Sequence, residues 1–103
     1  MAKKTLELLT ETMFYVLMAL DKQNMCGTDA AEYIKIKTKG RILLGPGTLY
    51  TILAKFEEEK LIAEIDVTGR KRTYTITGKG KMAYREELDR LRACLADAES
   101  EGV

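Results

Sequence analysis

Gly45-Pro46-Gly47-Thr48-Leu49-Tyr50-Thr51-Ile52-Leu53-Ala54-Lys55-Phe56 is the stretch from which the rest of the chain can be placed. Pro46, the only proline, suits the first position of a helix, with Gly45 just ahead of it. The spacing predicts a helix over 46–60 whose buried stripe is Leu49, Ile52, Leu53 and Phe56. Thr48, Tyr50, Thr51, Ala54, Lys55 and Glu58 then point outward. A tyrosine on a helix more often packs than binds, but here the stripe is complete without Tyr50, which leaves the ring for a partner. Glu57, Glu58 and Glu59 diverge by about 100° each around the helix, so they are surface charge and not a catalytic carboxylate pair.

On the C-terminal side, the β-branched runs Ile62 to Val67 and Arg72 to Thr77 flank Thr68-Gly69-Arg70-Lys71 and predict a hairpin over 62–77. Tyr74 and Ile76 should face the core, and Arg70, Lys71 and Arg72 cluster at the tip. Thr77 can cap a last helix over 78–98, with Gly78 and Gly80 weakening its first turn by about 1 kcal/mol each. Tyr84, Leu88, Leu91, Leu95 and Ala98 recur along it as a heptad seam that wants a partner helix.

On the N-terminal side, Leu6, Leu9, Met13, Val16, Leu17 and Leu20 predict an amphipathic helix over 5–22, widened by Phe14 and Met18 so that it meets both its own core and something else. Asp21 to Gly27 reads as a turn. A second helix over 28–39 follows, capped by Thr28 or Asp29 with Glu32 in its first turn and stopped by Gly40. Tyr33 to Lys39 alternates like a strand, yet Ala30, Ile34 and Thr38 share one helical face and the cap favours helix. The order helix, helix, helix, hairpin, helix defines a mainly α fold with a small β-hairpin: a single winged helix-turn-helix domain over 1–103 with a C-terminal dimerisation helix. In that fold the third helix enters the major groove and the hairpin approaches neighbouring phosphates.

The charges agree in their distribution, although 17 basic and 16 acidic residues nearly cancel. Lys35 through Phe56 and Val67 through Arg85 carry only basic charges, while acids gather at Glu57 to Glu59 and at Asp97, Glu99 and Glu101. Lys35, Lys37 and Lys39 are read as a solvated face, because the second helix of this fold reaches the DNA backbone only at one end. The 103 residues allow one small core, which commonly gains stability by burying apolar surface against a second subunit. With no histidine and no carboxylate pair, catalysis has few players, and an enzyme is not expected. Cys26 and Cys94 make neither a disulfide framework nor a zinc ligand set; no metal or cofactor is expected. No stretch reads as a signal peptide or membrane span, so a cytoplasmic protein is expected.

From Leu9 to Leu95 the sequence resembles the short members of the PadR family of transcriptional regulators. Gly47-Thr48-Leu49-Tyr50, Leu53, Phe56-Glu57 and Leu61-Ile62 are similar to the family's G-x-L-Y-x-x-L-x-x-L-E-x-x-G-L-I signature, and Gly69-Arg70, Arg72, Tyr74, Ile76-Thr77 and Gly80 to its wing and the entry to its last helix. The resemblance implies a homodimer built by the first and last helices, two recognition helices facing a palindromic operator in double-stranded DNA, and usually repression. The expected DNA-binding residues are Pro46, Gly47, Thr48, Tyr50, Thr51, Lys55, Arg70, Lys71 and Arg72. The expected dimer interface is Leu9, Met13, Leu17, Tyr84, Leu88, Leu91 and Leu95.

Lys60 departs from the family by standing where a glycine usually ends the helix, and Cys26 and Thr28 replace the common His-Gly-Tyr pattern around Gly27. The chain ends soon after the seam, so the ligand-sensing region of the long members is expected to be absent. A site for a possible small-molecule effector is placed between subunits near Met13, Leu17 and Leu91, although methionine is more often a core gap-filler and no tryptophan supplies a stacking plate. The alternative to DNA binding is a winged-helix protein-interaction module, which would present an acidic or apolar outer face on the third helix; here that face is polar and basic.

Overall fold

The structure, a computed structural model, describes residues 9–102, and within them four helices surround a three-stranded antiparallel sheet. Helix α1 spans Glu11–Lys22, strand β1 Met25–Cys26, α2 Gly27–Lys37, α3 Pro46–Glu58, β2 Ile62–Thr68, β3 Lys71–Ile76 and α4 Gly78–Ser100. This is the expected mainly helical, winged arrangement. The core gathers Val16, Leu17 and Leu20 of α1, Ile34 of α2, Leu49, Leu53 and Phe56 of α3, and Tyr74 and Ile76 of β3.

Helix α1 starts later than expected. Thr5 and Leu6 lie outside the described residues, but Thr10 is extended and its hydroxyl accepts the Met13 amide at 3.1 Å, so the first turn closes at Glu11 and Leu9 precedes the helix. The segment after α1 also differs from a plain turn. Met25 pairs with Tyr74 and Cys26 with Thr73, adding a third strand to the hairpin in the order β1-β3-β2. Holding Cys26 extended in that ladder makes it the residue before the helix, so α2 begins at Gly27 and neither Thr28 nor Asp29 caps it. The Thr28 hydroxyl instead lies 3.2 Å from Cys26 Sγ. Gly27 is tightly enclosed: a Cβ there would stand 3.2 Å from methyl carbons of both Leu49 and Leu53.

Helix α2 ends through Thr38, whose hydroxyl donates to the Ile34 carbonyl at 2.8 Å and accepts the Ile42 amide at 3.0 Å. Arg41, in the following loop, reaches back to α1, pairing with Glu11 and donating to the Tyr15 hydroxyl at 3.2 Å. The Glu11 carboxylate, as hydrogen-bond acceptor and opposite charge, raises the guanidinium pKa further.

Helix α3 begins at Pro46, with Gly45 as the preceding cap residue, and ends two residues short of the expected boundary. Lys60 then takes a left-handed conformation with φ of 63°, which lets Leu61 N donate to the Phe56 carbonyl at 2.9 Å. The non-glycine residue at this helix end therefore adopts the glycine-like backbone the fold needs, at a modest conformational cost. The hairpin turn is Gly69-Arg70, with φ of 62° at Gly69, and Thr68 pairs with Lys71 across it.

At the start of α4, the Thr77 hydroxyl accepts the Gly80 amide at 3.0 Å, as a cap, and donates toward the Lys60 and Leu61 carbonyls at 2.7 and 3.0 Å. Gly80 is more than a weak helix former. A Cβ at that position would lie 2.1 Å from the Leu61 carbonyl oxygen, so glycine is required for α4 to cross the α3–β2 junction.

Candidate nucleic-acid interface

The outer surface of α3 follows from its buried stripe. Leu49, Ile52, Leu53 and Phe56 are buried, and Thr48, Tyr50, Thr51, Ala54, Lys55 and Glu58 are exposed. Tyr50 leaves 49% of its surface open. Pro46 and Gly47 form the exposed first turn, and a Cβ on Gly47 would meet nothing within 4 Å, so no packing demand of this chain selects glycine there.

The two threonines are not equivalent. Thr51 donates its hydroxyl proton to the Gly47 carbonyl at 2.8 Å, so toward a ligand it has only acceptor capacity left. Thr48 has no such bond among the described residues and can donate as well as accept. Lys55 is exposed and forms no ion pair among the described residues.

The wing converges on the same side. A cleft of about 410 Å³ is lined by Cys26, Gly27 and Thr28 from the β1–α2 junction, Tyr50 from α3, and Thr68, Arg70, Lys71 and Arg72 from the hairpin. Arg70 and Lys71 are exposed and without ion pairs among the described residues. Arg72 differs: its Nε lies 3.5 Å from Glu64 Oε2. The neighbouring Tyr74 hydroxyl first, then the Glu64 charge, push its pKa upward. Burial raises the Tyr74 pKa, keeping that hydroxyl neutral.

Thr28 and Glu64 were not among the expected site residues. Thr28 enters through β1, whose two residues carry no periodic signal, and Glu64 through its cross-strand neighbours on the hairpin. Lys35, Lys37 and Lys39 are exposed, and Lys35 lines a cleft with Leu43, Leu44, Pro46 and Tyr50.

The residues expected at a subunit interface fall into two groups. Met13 and Leu17 belong to the core of their own chain, Leu17 with 0% of its surface exposed, because the adjoining turns of α1 pack inward against α2 and the sheet. Leu9 and Leu88 are half-buried, Tyr84 stacks on Phe14 with ring centroids 5.2 Å apart, and Leu91 and Leu95 are exposed at 37% and 59%. Burial raises the Tyr84 pKa. Between α1 and α4 runs a groove of about 380 Å³ lined by Leu9, Thr10, Glu11, Phe14, Tyr15, Glu87, Arg90 and Leu91. Of the three residues expected around an effector, this groove takes in Leu91 and not Met13 or Leu17. Among the described residues no cluster of metal-ligating side chains occurs, and no helix is long and apolar enough to cross a membrane.

Three helices, a two-stranded wing extended by β1, and a long fourth helix make this a winged helix-turn-helix protein. The family model described as "Transcriptional regulator PadR-like family" matches residues 16–86, most of the chain, and the protein therefore belongs to that family.

Solved structures agree in fold. A PadR family transcription regulator from Clostridium difficile R20291 is 17% identical, with a TM-score of 0.77 over 91% of this chain and 100% of that one. A transcriptional regulator from Clostridium thermocellum is 22% identical, with a TM-score of 0.75 over 85% and 89%. Bacillus subtilis PadR, solved in complex with operator DNA, is 24% identical, with a TM-score of 0.67 over 76% of this chain and 46% of that one. The comparison with curated proteins finds no match.

Proposed function

We propose that this protein binds double-stranded DNA sequence-specifically as a homodimer and represses transcription from a palindromic operator in the cytoplasm. The observation that carries the reading is the convergence of Tyr50 on α3 and Arg70, Lys71 and Arg72 on the wing around one open cleft. The remaining expected contacts, Pro46, Gly47, Thr48, Thr51 and Lys55, lie along the same exposed helix face. Side chains of this kind divide the work: hydroxyls and the tyrosine ring reach base edges and thymine methyls, while arginine and lysine neutralise phosphates. The structural likeness to Bacillus subtilis PadR, which was solved with operator DNA, supports the same class of partner.

The homodimer rests on α4. Leu91 and Leu95 lie open beside the groove edged by Leu9, and with Tyr84 and Leu88 they form a seam that a second copy would cover. A small-molecule effector, if the protein takes one, belongs in that groove, where occupancy would alter the pairing of α1 and α4 across subunits. Gel-shift titration against duplex DNA upstream of the protein's own gene tests the reading, with a specific shift at nanomolar protein expected. Equal binding to that DNA and to random duplex would overturn it. A reporter driven by the bound sequence should rise in expression when the gene is deleted, and a fall would assign activation instead.

A further inference from the structure

Arg72 stands apart from its two basic neighbours at the wing tip because it is the one whose direction the protein fixes. On β3, Arg72, Tyr74 and Ile76 share a face, and Tyr74 and Ile76 are buried against the core. Arg72 therefore continues the inward face of the hairpin beyond the core, whereas Lys71 points the other way. Across the ladder Glu64 is registered with Tyr74, and the irregularity between Glu64 and Asp66 lets the strand continue to pair past it.

Glu64 Oε2 is shielded from solvent and has no hydrogen bond of good geometry; its nearest cation is Arg72 Nε at 3.5 Å. A shielded carboxylate oxygen without a hydrogen bond is a cost the chain carries. The guanidinium beside it is more than half exposed and lines the cleft with Thr28 and Tyr50.

We propose that Glu64 is a positioning residue for DNA binding: it braces Arg72 on the inner face of the wing so that the guanidinium is held in the cleft, ready for a backbone phosphate. Arginine carries five N–H donors in a fixed fork, more than Glu64 can occupy, so the brace leaves donors for phosphate oxygens. The pairing restricts the rotamers of a long side chain before DNA arrives and lowers the ordering cost at binding. This inference rests on the DNA-binding reading above and adds a residue that would not itself touch DNA.

The sign of one substitution separates the brace from simple charge. Removing a carboxylate near a phosphate surface relieves repulsion, so for an unconnected Glu64 the Glu64→Gln protein should bind DNA more tightly. The brace requires the opposite. In fluorescence-anisotropy titrations of the full chain with its shifted duplex over a range of salt, Glu64→Gln should weaken binding several-fold. It should also flatten the slope of log affinity against log salt by up to about 0.9 per copy, the share of one phosphate contact.

Arg72→Ala should flatten the slope equally, and Glu64→Gln added to Arg72→Ala should cost nothing more. Thermal melting of each variant separates loss of fold from loss of brace, and Arg72→Ala alone reads the contact should Glu64→Gln fail to fold. Tighter or unchanged binding by Glu64→Gln, or a salt slope indifferent to Arg72→Ala, overturns the proposal while leaving DNA binding in place. No shift of any duplex by the unsubstituted protein overturns the DNA-binding reading itself.

Discussion

Helices α3 and α4 each carry an apolar stripe, but the chain completes only one of them. All four stripe residues of α3 are covered by the protein itself, and what remains outside is mostly polar, with Tyr50 and Lys55 beside Ala54 and, in the last turn, Glu58. In α4, 23 residues long, only Gly80 and Glu87 are buried, and Leu91 and Leu95 lie in the open. From Asp89 to Ser100 every residue is exposed. A helix whose apolar face is already satisfied can offer its other face to a hydrated, charged partner. One whose apolar face is unsatisfied calls for protein. On the function proposed above, that difference gives nucleic acid to α3 and a second subunit to α4.

The largest effect expected from breaking this contrast is on α4. Replacing Leu88 and Leu91 together with glutamate would put two carboxylates into the proposed subunit seam and should weaken dimerisation on the order of a thousandfold or more. Sedimentation should show monomers, or protein that no longer folds, whereas a folded dimer of unchanged affinity would remove α4 from the interface.

Next in size is the joint that aims α4. Gly80→Ala would press a methyl into the Leu61 carbonyl, 2.1 Å away, and should lower stability by about 2–3 kcal/mol as the helix is pushed off the α3–β2 junction. Urea titration measures it. A loss under about 0.5 kcal/mol would mean that α4 can shift freely on the body, and the fixed geometry between the two helices would not hold.

These residues also mark what could be read from sequence. The stripe of α3, the Gly45-Pro46 entry and the turn at Gly69-Arg70 are local patterns, each decided within a few residues, and they stand where expected. The β1 strand is two residues long and exists only through its pairing with β3, so no periodicity announces it. The clash that demands Gly80 comes from a carbonyl 19 positions earlier, and sequence alone gives that glycine only its helix-weakening effect.

Met13 and Leu17 carry the right hydrophobicity for an interface, but hydrophobicity does not say which of two apolar surroundings a side chain enters. At the site, the α3 face and the basic tip were legible because they are sequence-contiguous. The Glu64–Arg72 pair was not, since it depends on the register of two strands.

A smaller effect sharpens the assignment of α3. Tyr50→Ala and Thr48→Ala should each lose about 1–3 kcal/mol of discrimination between operator and random duplex, roughly 5- to 150-fold, if their side chains reach base edges. Thr51→Ala should cost less, because its hydroxyl proton is already committed to Gly47. Competition titrations with both DNAs distinguish the cases: equal weakening on the two would leave these residues as backbone contacts only.

The smallest expected effect concerns Arg70, which has no counterpart to the Glu64 brace and sits at the turn itself. An unbraced arginine on a two-residue turn must be ordered at the moment of binding, so its net contribution should fall below that of Arg72 even where both meet phosphate. Arg70→Ala should flatten the salt slope by up to about 0.9 per copy and weaken operator and random DNA alike, because phosphate carries no base identity. Stability should change by no more than about 0.5 kcal/mol, since an exposed turn residue with no ion pair among the described residues holds nothing in place. If Arg70→Ala costs more affinity than Arg72→Ala, orientation on the hairpin matters less than reach. The contact surface would then lie at the wing tip instead of the cleft behind it.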